Sequence, residues 1–439
     1  MNMRQLLASF RHGGGSGTRI LAVAGVLTAL AASPVAGQWS QWGGPNQDFK
    51  VASKGLAETW PDTGPRQLWS RDLGEGYSGM VVVRGRVFTM YRDGEQEVVV
   101  ALRAKDGETI WEHRYDAPIG EKHVNEFGRG PRSTPLVDGN RVVTIGIAGI
   151  MHCLSGKTGK VLWKKDLWQE CKGTWLNHGY ASSPLAYKDN LIVMVGGKGH
   201  GLMAFNSKTG KLAWKRLDFD NSYSTPKLIK VDKEDHLLCF MAKELVGVNP
   251  NNGKLKWRFE HGNRWGQNIT LPVWADDGYL FLSSVEAGSR ALKLTKKGKR
   301  YSVEELWNEQ KIQIYHSQAI RLGDYVFGSS GMRGSGIFAA INVKNGQIAW
   351  RERGFAKATC LYADEKFIVL DEDGKLGLVK ATPEEFKIIC QTQLLDKVSW
   401  TVPTLVDKTL FVRDKKRIMA VDLGEQKSAS AGDGPRTAS

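Results

Sequence analysis

The chain has no two adjacent cysteines. Its five, Cys153, Cys171, Cys239, Cys360 and Cys390, are odd in number and form no CxxC pair. An exported protein could form disulfides, but nothing in this pattern resembles a disulfide framework or a zinc site, and buried free thiols are the simpler reading. The nine histidines show neither HxH nor HExxH, and no paired carboxylates stand at a spacing that would suit hydrolysis. Two glycine-rich segments, GGKGHG (196–201) and GMRGSG (331–336), lie between β-like runs rather than ahead of a helix. They cannot offer a helix N-terminus to a phosphate, and they read as turns. DEDGK (371–375) places its glycine too early for an EF-hand loop and reads as a type I′ hairpin turn. No window of eleven or more residues in the repeat region has a helical period. The chain is all β.

Signals of other kinds are also missing. There is no twin-Arg pair, and no cysteine follows the apolar run ILAVAGVLTALAA (20–32), so a lipid anchor is not expected. Arg4, Arg11 and Arg19 precede that run, and SPVAG follows it. Residues 1–37 therefore read as a secretory signal cleaved after Gly37, with an uncleaved anchor as the alternative. The run is too short for a comfortable membrane span. Cleavage would remove three arginines and no acidic residue, taking the formal charge from +15 to +12. An exported basic domain attracts acidic partners such as anionic glycans. No specific nucleic acid partner is expected, and simple solubility explains the charge equally well.

Glycine and tryptophan, by contrast, are plentiful: 50 and 15 residues. The tryptophans recur every 40 to 50 residues, at Trp69, Trp111, Trp163, Trp214, Trp257, Trp307 and Trp350. An eighth unit, EEFKIICQ (384–391), keeps the place but lacks the ring. A period of this length signals a repeat architecture. Each unit contains four β-like runs, as in STPLV, RVVTIG, IMHCLS and KVLWKKD (133–166), divided by DGN, AG and KTGK turns. A glycine (Gly107, Gly159, Gly210, Gly253 or Gly346) stands four residues before its Trp, in a tight turn where positive φ suits it. One large ring per four-stranded sheet is expected to sit as a wedge between adjacent sheets and lock one to the next, and those seven tryptophans are assigned to blade packing.

Eight first strands are expected near Ser78, Ser133, Ser182, Tyr223, Asn268, His316, Ala358 and Trp400. The last unit supplies only three strands, and RQLWSRD (66–72) has the fourth-strand signature without a sheet of its own. The fold expected is an eight-bladed β-propeller over residues 66–423, closed by that N-terminal strand so that no sheet edge is left open. Residues 38–65 form a strap leading into the ring, and residues 424–439 a disordered tail.

Loops between one blade's last strand and the next blade's first open on one face. Those loops are long and carry exposed-type aromatics with Arg and Asn. The first two supply Phe127, Arg129, Arg132, Trp175, His178 and Tyr180. The later ones supply Tyr223, Trp265, Asn268, His316 and Trp400. Stacking surface beside directional donors suits a sugar polymer or a peptide strand. These eleven are the candidate ligand-binding residues, although each taken singly could equally pack its loop onto the ring.

The repeated A-x-[DN]-x-x-[TN]-G-x-x-x-W, whole in AFNSKTGKLAW (204–214) and AINVKNGQIAW (340–350), resembles the PQQ-like, quinoprotein-type β-propeller repeat. The BamB-type outer-membrane assembly factors are one branch of that family. The resemblance covers about residues 66–423 and implies the propeller fold; it specifies activity poorly. QWSQWGGPNQDF (38–49) also resembles the W-x-x-[FW]-x-G-P-N opening of secreted propellers common in planctomycete-type bacteria, without the Arg before Gly44 or the Gly after Asp48. Working quinoprotein dehydrogenases of the family hold PQQ between a Trp and a disulfide of adjacent cysteines, with Ca²⁺ and an Asp base. This chain has no such cysteines. The expectation is therefore an exported, monomeric, non-catalytic scaffold that binds an envelope protein or an anionic or neutral polysaccharide. No cofactor, metal ligand or catalytic residue is expected; PQQ with Ca²⁺ follows from the resemblance alone. A PQQ-dependent alcohol or sugar dehydrogenase with an atypical site is the alternative.

Overall fold

The computed structural model describes residues 38–331, 336–355 and 357–425. The expected leader, most of the expected tail and most of GMRGSG lie outside the described residues.

Burial decides each strand. In the second repeat, Leu136–Asp138, Arg141–Ile145, Ile150–Ser155 and Val161–Asp166 pair in antiparallel order. The two middle strands are covered on both faces by neighbouring sheets, so they read as continuous apolar runs. The fourth lies at the rim and is partly exposed. This unit occurs eight times, over residues 81–116, 136–166, 185–216, 227–260, 273–309, 320–353, 359–393 and 404–422, here blades 1 to 8. The one helical turn among the described residues is Asn125–Phe127, and no helix among them is long and apolar enough to cross a membrane.

Blade 8 has three strands of its own. Strand β2 (Arg66–Asp72; the short β1 is Lys50–Val51) supplies the fourth, antiparallel to Arg417–Asp422. The seam is held by polar as well as apolar contacts. Arg66 pairs with Asp422 at 2.7 Å. The fully buried Arg413 donates across to the Met90 carbonyl at 2.8 Å and to Thr89 at 3.2 Å. First strands begin a few residues later than Ser78 and its counterparts, because those positions tie blades together. Ser78 donates to the Ser133 carbonyl at 2.7 Å, Ser224 to that of Thr270 at 3.2 Å, and Thr401 to that of Tyr77 at 3.2 Å.

In all eight sheets, pairing between the third and fourth strands slips by one residue at the same place. The skipped residue precedes the repeat Trp: Leu68, Ile110, Leu162, Ala213, Lys256, Leu306 and Ala349, with Ile389 before Cys390 in blade 7. A bulge of this kind bends the strand and sharpens its twist. It also explains why the large apolar Ile110, Leu162 and Leu306 are exposed.

The Trp that follows the bulge reaches into the next blade's turn. Indole N–H groups donate to backbone carbonyls there: Trp69 to Ala104 (2.9 Å), Trp111 to Gly156 (3.2 Å) and Trp163 to Ser207 (3.1 Å). Trp307 and Trp350 do the same to Val343 (2.9 Å) and Thr382 (2.8 Å). Glycine is required beneath the ring: a Cβ at Gly159, whose φ is +72°, would stand 2.6 Å from Trp111. Blades 3 and 4 depart from the pattern: the Trp214 ring packs over Gly253, but its N–H has no acceptor among the described residues. The blade 5 hairpin, Gly288–Lys297 with Arg300–Glu309, is longer and carries its turn away from Trp257. Trp257 donates instead within its own blade, to His236 Nδ1 at 3.1 Å. Glu234 joins the two blades by accepting from Lys256 and Lys296, each at 2.6 Å, and from Tyr301 at 2.8 Å.

Candidate functional site

A loop leaving a rim strand must travel inward to the next first strand, so the residues just before each first strand converge over the central channel. Phe127 (loop 1–2) stands 5.4 Å from His178 (loop 2–3) and 5.5 Å from Trp400 (loop 7–8), ring centre to ring centre. His178 lies 6.0 Å from Tyr223 (loop 3–4). His316 (loop 5–6) stacks on Trp400 at 5.4 Å and 10°, and Tyr77 (loop 8–1) lies 5.4 Å from the same indole. Six of the loops entering the ring thus place rings in one aromatic cluster.

The polar groups among these rings have definite roles. Arg132 donates to the His178 carbonyl at 2.8 Å and the Gly128 carbonyl at 2.9 Å, and its guanidinium stands 5.5 Å over Tyr77. Among the described residues it has no carboxylate partner, and burial lowers its pKa. Trp400 donates to Glu372 at 2.9 Å, and Lys357 pairs with the same carboxylate at 2.9 Å. Burial raises the Glu372 carboxyl, but Lys357 and the Trp400 N–H outweigh it and hold the pKa below its usual value. Burial pushes His316 down to about 4, with Lys357 adding to the effect. Burial and then Arg132 also lower His178. At neutral pH the mouth presents uncharged histidines, an unpaired guanidinium and a neutralised carboxylate.

The remaining candidates separate from this cluster. Tyr180 and Asn268 lie beneath the face rather than on it, a correction to the sequence reading. Tyr180 is fully buried with its hydroxyl on the Met194 carbonyl, and Asn268 donates to the carbonyls of Met241 (2.8 Å) and His261 (3.1 Å). Both satisfy buried backbone, which is the role such polar groups take in a loop folded onto a core. Arg129 turns outward to both oxygens of Glu95, at 3.0 and 3.2 Å. Trp175, 38% exposed, packs on Trp168 at 4.4 Å, and Trp265, 55% exposed, lies under Arg264 at 4.4 Å. These two are separate exposed rings.

Tyr77, Tyr315, Lys357 and Glu372 belong to the mouth and were not among the candidates. Tyr315 adjoins His316, 4.3 Å away, in the QIYHSQ loop. Glu372 sits in DEDGK, where the sequence suggested a type I′ turn. The Gly374 amide instead bonds the Asp371 carbonyl at 3.1 Å, and only Gly374 has positive φ, +87°. This is a type I turn followed by a left-handed glycine, and it puts Glu372 beneath Trp400. Among the described residues, no three His, Cys, Asp or Glu side chains converge as metal ligands.

A family model described as outer membrane protein assembly factor BamB matches residues 56–143 and 95–352. The quinohemoprotein alcohol dehydrogenase ADH-IIG of Pseudomonas putida is 26% identical over 195 residues, 42% of this chain and 25% of that protein. The chain therefore spans about a quarter of the length of this curated relative. Among solved structures, BamB from Moraxella catarrhalis superimposes with a TM-score of 0.57 at 16% identity, over 82% of this chain and 100% of that one. The quinohemoprotein alcohol dehydrogenase ADHIIG from Pseudomonas putida HK5 gives 0.63 at 14% identity, over 91% and 82%. At such identities the likeness is one of fold.

Proposed function

The chain belongs to the family of outer membrane protein assembly factor BamB, a family of PQQ-like β-propellers, and from that premise we propose that it is an exported, non-catalytic scaffold. It binds an envelope protein or polysaccharide at the loop-rich mouth of the channel. The observation that carries this reading is the aromatic cluster of Phe127, His178, Tyr223, His316 and Trp400 around Arg132, which has no carboxylate partner among the described residues. Flat rings supply sequence-tolerant contact area, and a desolvated guanidinium selects carbonyl or acidic groups. Export is supported by the basic, apolar opening of the sequence.

The match to a quinohemoprotein dehydrogenase sustains a second reading, a quinone-dependent alcohol or sugar oxidoreductase with an atypical site. The residues at the mouth fit PQQ with Ca²⁺ poorly. One face of Trp400 is already covered by His316, and Glu372 is held by Lys357 and the Trp400 indole. Cys153, Cys239 and Cys360 are buried in separate blades.

Titration with unfolded envelope-protein peptides and with anionic and neutral oligosaccharides tests the scaffold reading. Saturable binding that weakens at least tenfold in Trp400→Ala and His178→Ala supports it. Binding of PQQ with Ca²⁺ together with dye-linked turnover of alcohols or sugars would replace it with the second reading.

A further inference from the structure

The opposite end of the channel is entered by the strap. Its contacts are with turns between first and second strands: Ser53 donates to the Asp407 carbonyl at 2.6 Å, and the Leu56 amide to Asp364 at 2.8 Å. Strand β1 adds in parallel to the first strand of blade 7, Lys50 beside Tyr362. The strap also reaches inward. Gln47 donates to the Pro226 carbonyl and accepts from Lys227, both at 2.9 Å.

Beside this plug lies a cavity of about 370 Å³, within the range of small-molecule sites. Gln47 to Lys50 form one wall, and the first strands of blades 5 and 6, around Trp274 and Arg321, form another. Exposed Asp277 and Gly323 mark its rim.

The charges on these walls are unevenly satisfied. Arg321 is neutralised by both oxygens of Asp277. Lys227 is only 6% exposed and has one hydrogen bond, to Gln47. Among the described residues, no carboxylate lies within ion-pair distance of Lys227 or Lys50. Asp48 is near enough to favour both ammoniums, yet it accepts its hydrogen bond from the Lys50 amide, at 3.2 Å. Holding ammonium groups out of water without a paired carboxylate is costly, and a fold that keeps two beside one cavity is complementary to an acceptor of opposite charge. Burial accordingly pushes Lys227 down to about 8, with Asp48 opposing it and Lys50 adding to it.

We propose that this cavity binds a small oxyanion-bearing ligand, a carboxylate or phosphate group held by Lys50 and Lys227. The site is separate from the aromatic mouth and does not depend on the function proposed there.

Thermal unfolding and calorimetric titration of the mature protein with inorganic phosphate and with malonate, against chloride at matched ionic strength, provide the test. A saturable rise of several degrees with either anion is expected. Phosphate alone would place the ligand among phosphate esters, malonate alone among carboxylic acids. Lys227→Met weakens the response at least tenfold and does not lower the midpoint measured without anion, because it removes an unpaired buried charge. Trp400→Ala leaves it unchanged. If Lys227→Met loses its cooperative transition, Lys50→Gln answers the same question. A wild type that responds to neither anion beyond chloride, or lysine variants that respond as the wild type does, would overturn the proposal.

Discussion

Trp111 and Trp400 carry the same side chain in opposite company. Trp111 sits at the rim between two blades, packs against Gly159 and gives its N–H to a backbone carbonyl. Trp400 sits over the channel, stacks on a histidine and gives its N–H to a carboxylate. A backbone carbonyl cannot leave its strand, so the rim contact is fixed once the sheet forms. A carboxylate, an imidazole and a lysine can rearrange when a ligand offers equivalent bonds. The repeated tryptophan therefore belongs to the scaffold, and the unrepeated one lies in the site proposed for recognition.

Removing the closing strand tests the scaffold side most severely. A chain beginning at Ser78 lacks β2, and the loss of a cooperative thermal transition is expected; an unchanged midpoint would show that blade 8 closes without it. Next in size, Trp111→Ala should cost about 3–5 kcal/mol in denaturant unfolding. Trp111→Phe, which loses chiefly the bond to Gly156, should cost about 1 kcal/mol more than any packing change.

Acid should reveal a third effect. His236 at the rim is pushed down to about 4 by burial and then by Lys256, as His316 is at the mouth by burial and Lys357. The folded pKa lies below that of the unfolded chain, so the unfolded state binds the proton first. Stability is full above pH 6.5 or so and declines as pH falls toward 4. His236→Phe should flatten that decline by up to about 1.4 kcal/mol per pH unit, read from denaturant midpoints between pH 4.5 and 7. A slope equal to that of the wild type would mean His236 is not held neutral.

The smallest effects separate the mouth from the outlying rings. Trp400→Ala should weaken ligand binding at least tenfold while shifting the midpoint only slightly, and Trp265→Ala should change affinity less than about threefold. The reverse order would move the recognition site outward to Trp265 and Arg264.

The propeller is legible in the sequence because its signals are local and repeated. TGKVLWK carries its own turn glycine and rim Trp, and RQLWSRD shows the fourth-strand pattern at the bounds the structure has, Arg66–Asp72. The slip at Leu162 is not legible, because register is a relation between two strands and Val161 and Leu162 are equally apolar. Loop residues have no period to orient them. Tyr180 and His178 stand two positions apart in one aromatic-rich loop, yet one turns into the core and the other to the mouth. Tyr77 precedes blade 1 in a short, plain segment, and Glu372 comes from a hairpin within blade 7. Neither has a neighbouring residue type that announces its place over the channel.

The slip in every rim strand has a consequence beyond the fold. Closure by β2 completes blade 8 but, against the expectation that no edge would stay open, the fourth strand of each blade has a free outer edge, and eight straight edges on one molecule would invite other copies to zip on, sheet to sheet, into fibres. Placing an unpaired, outward residue partway along each edge breaks the run of evenly spaced backbone groups that such growth needs. The ring that holds the molecule shut from within is thereby kept from joining its neighbours from without.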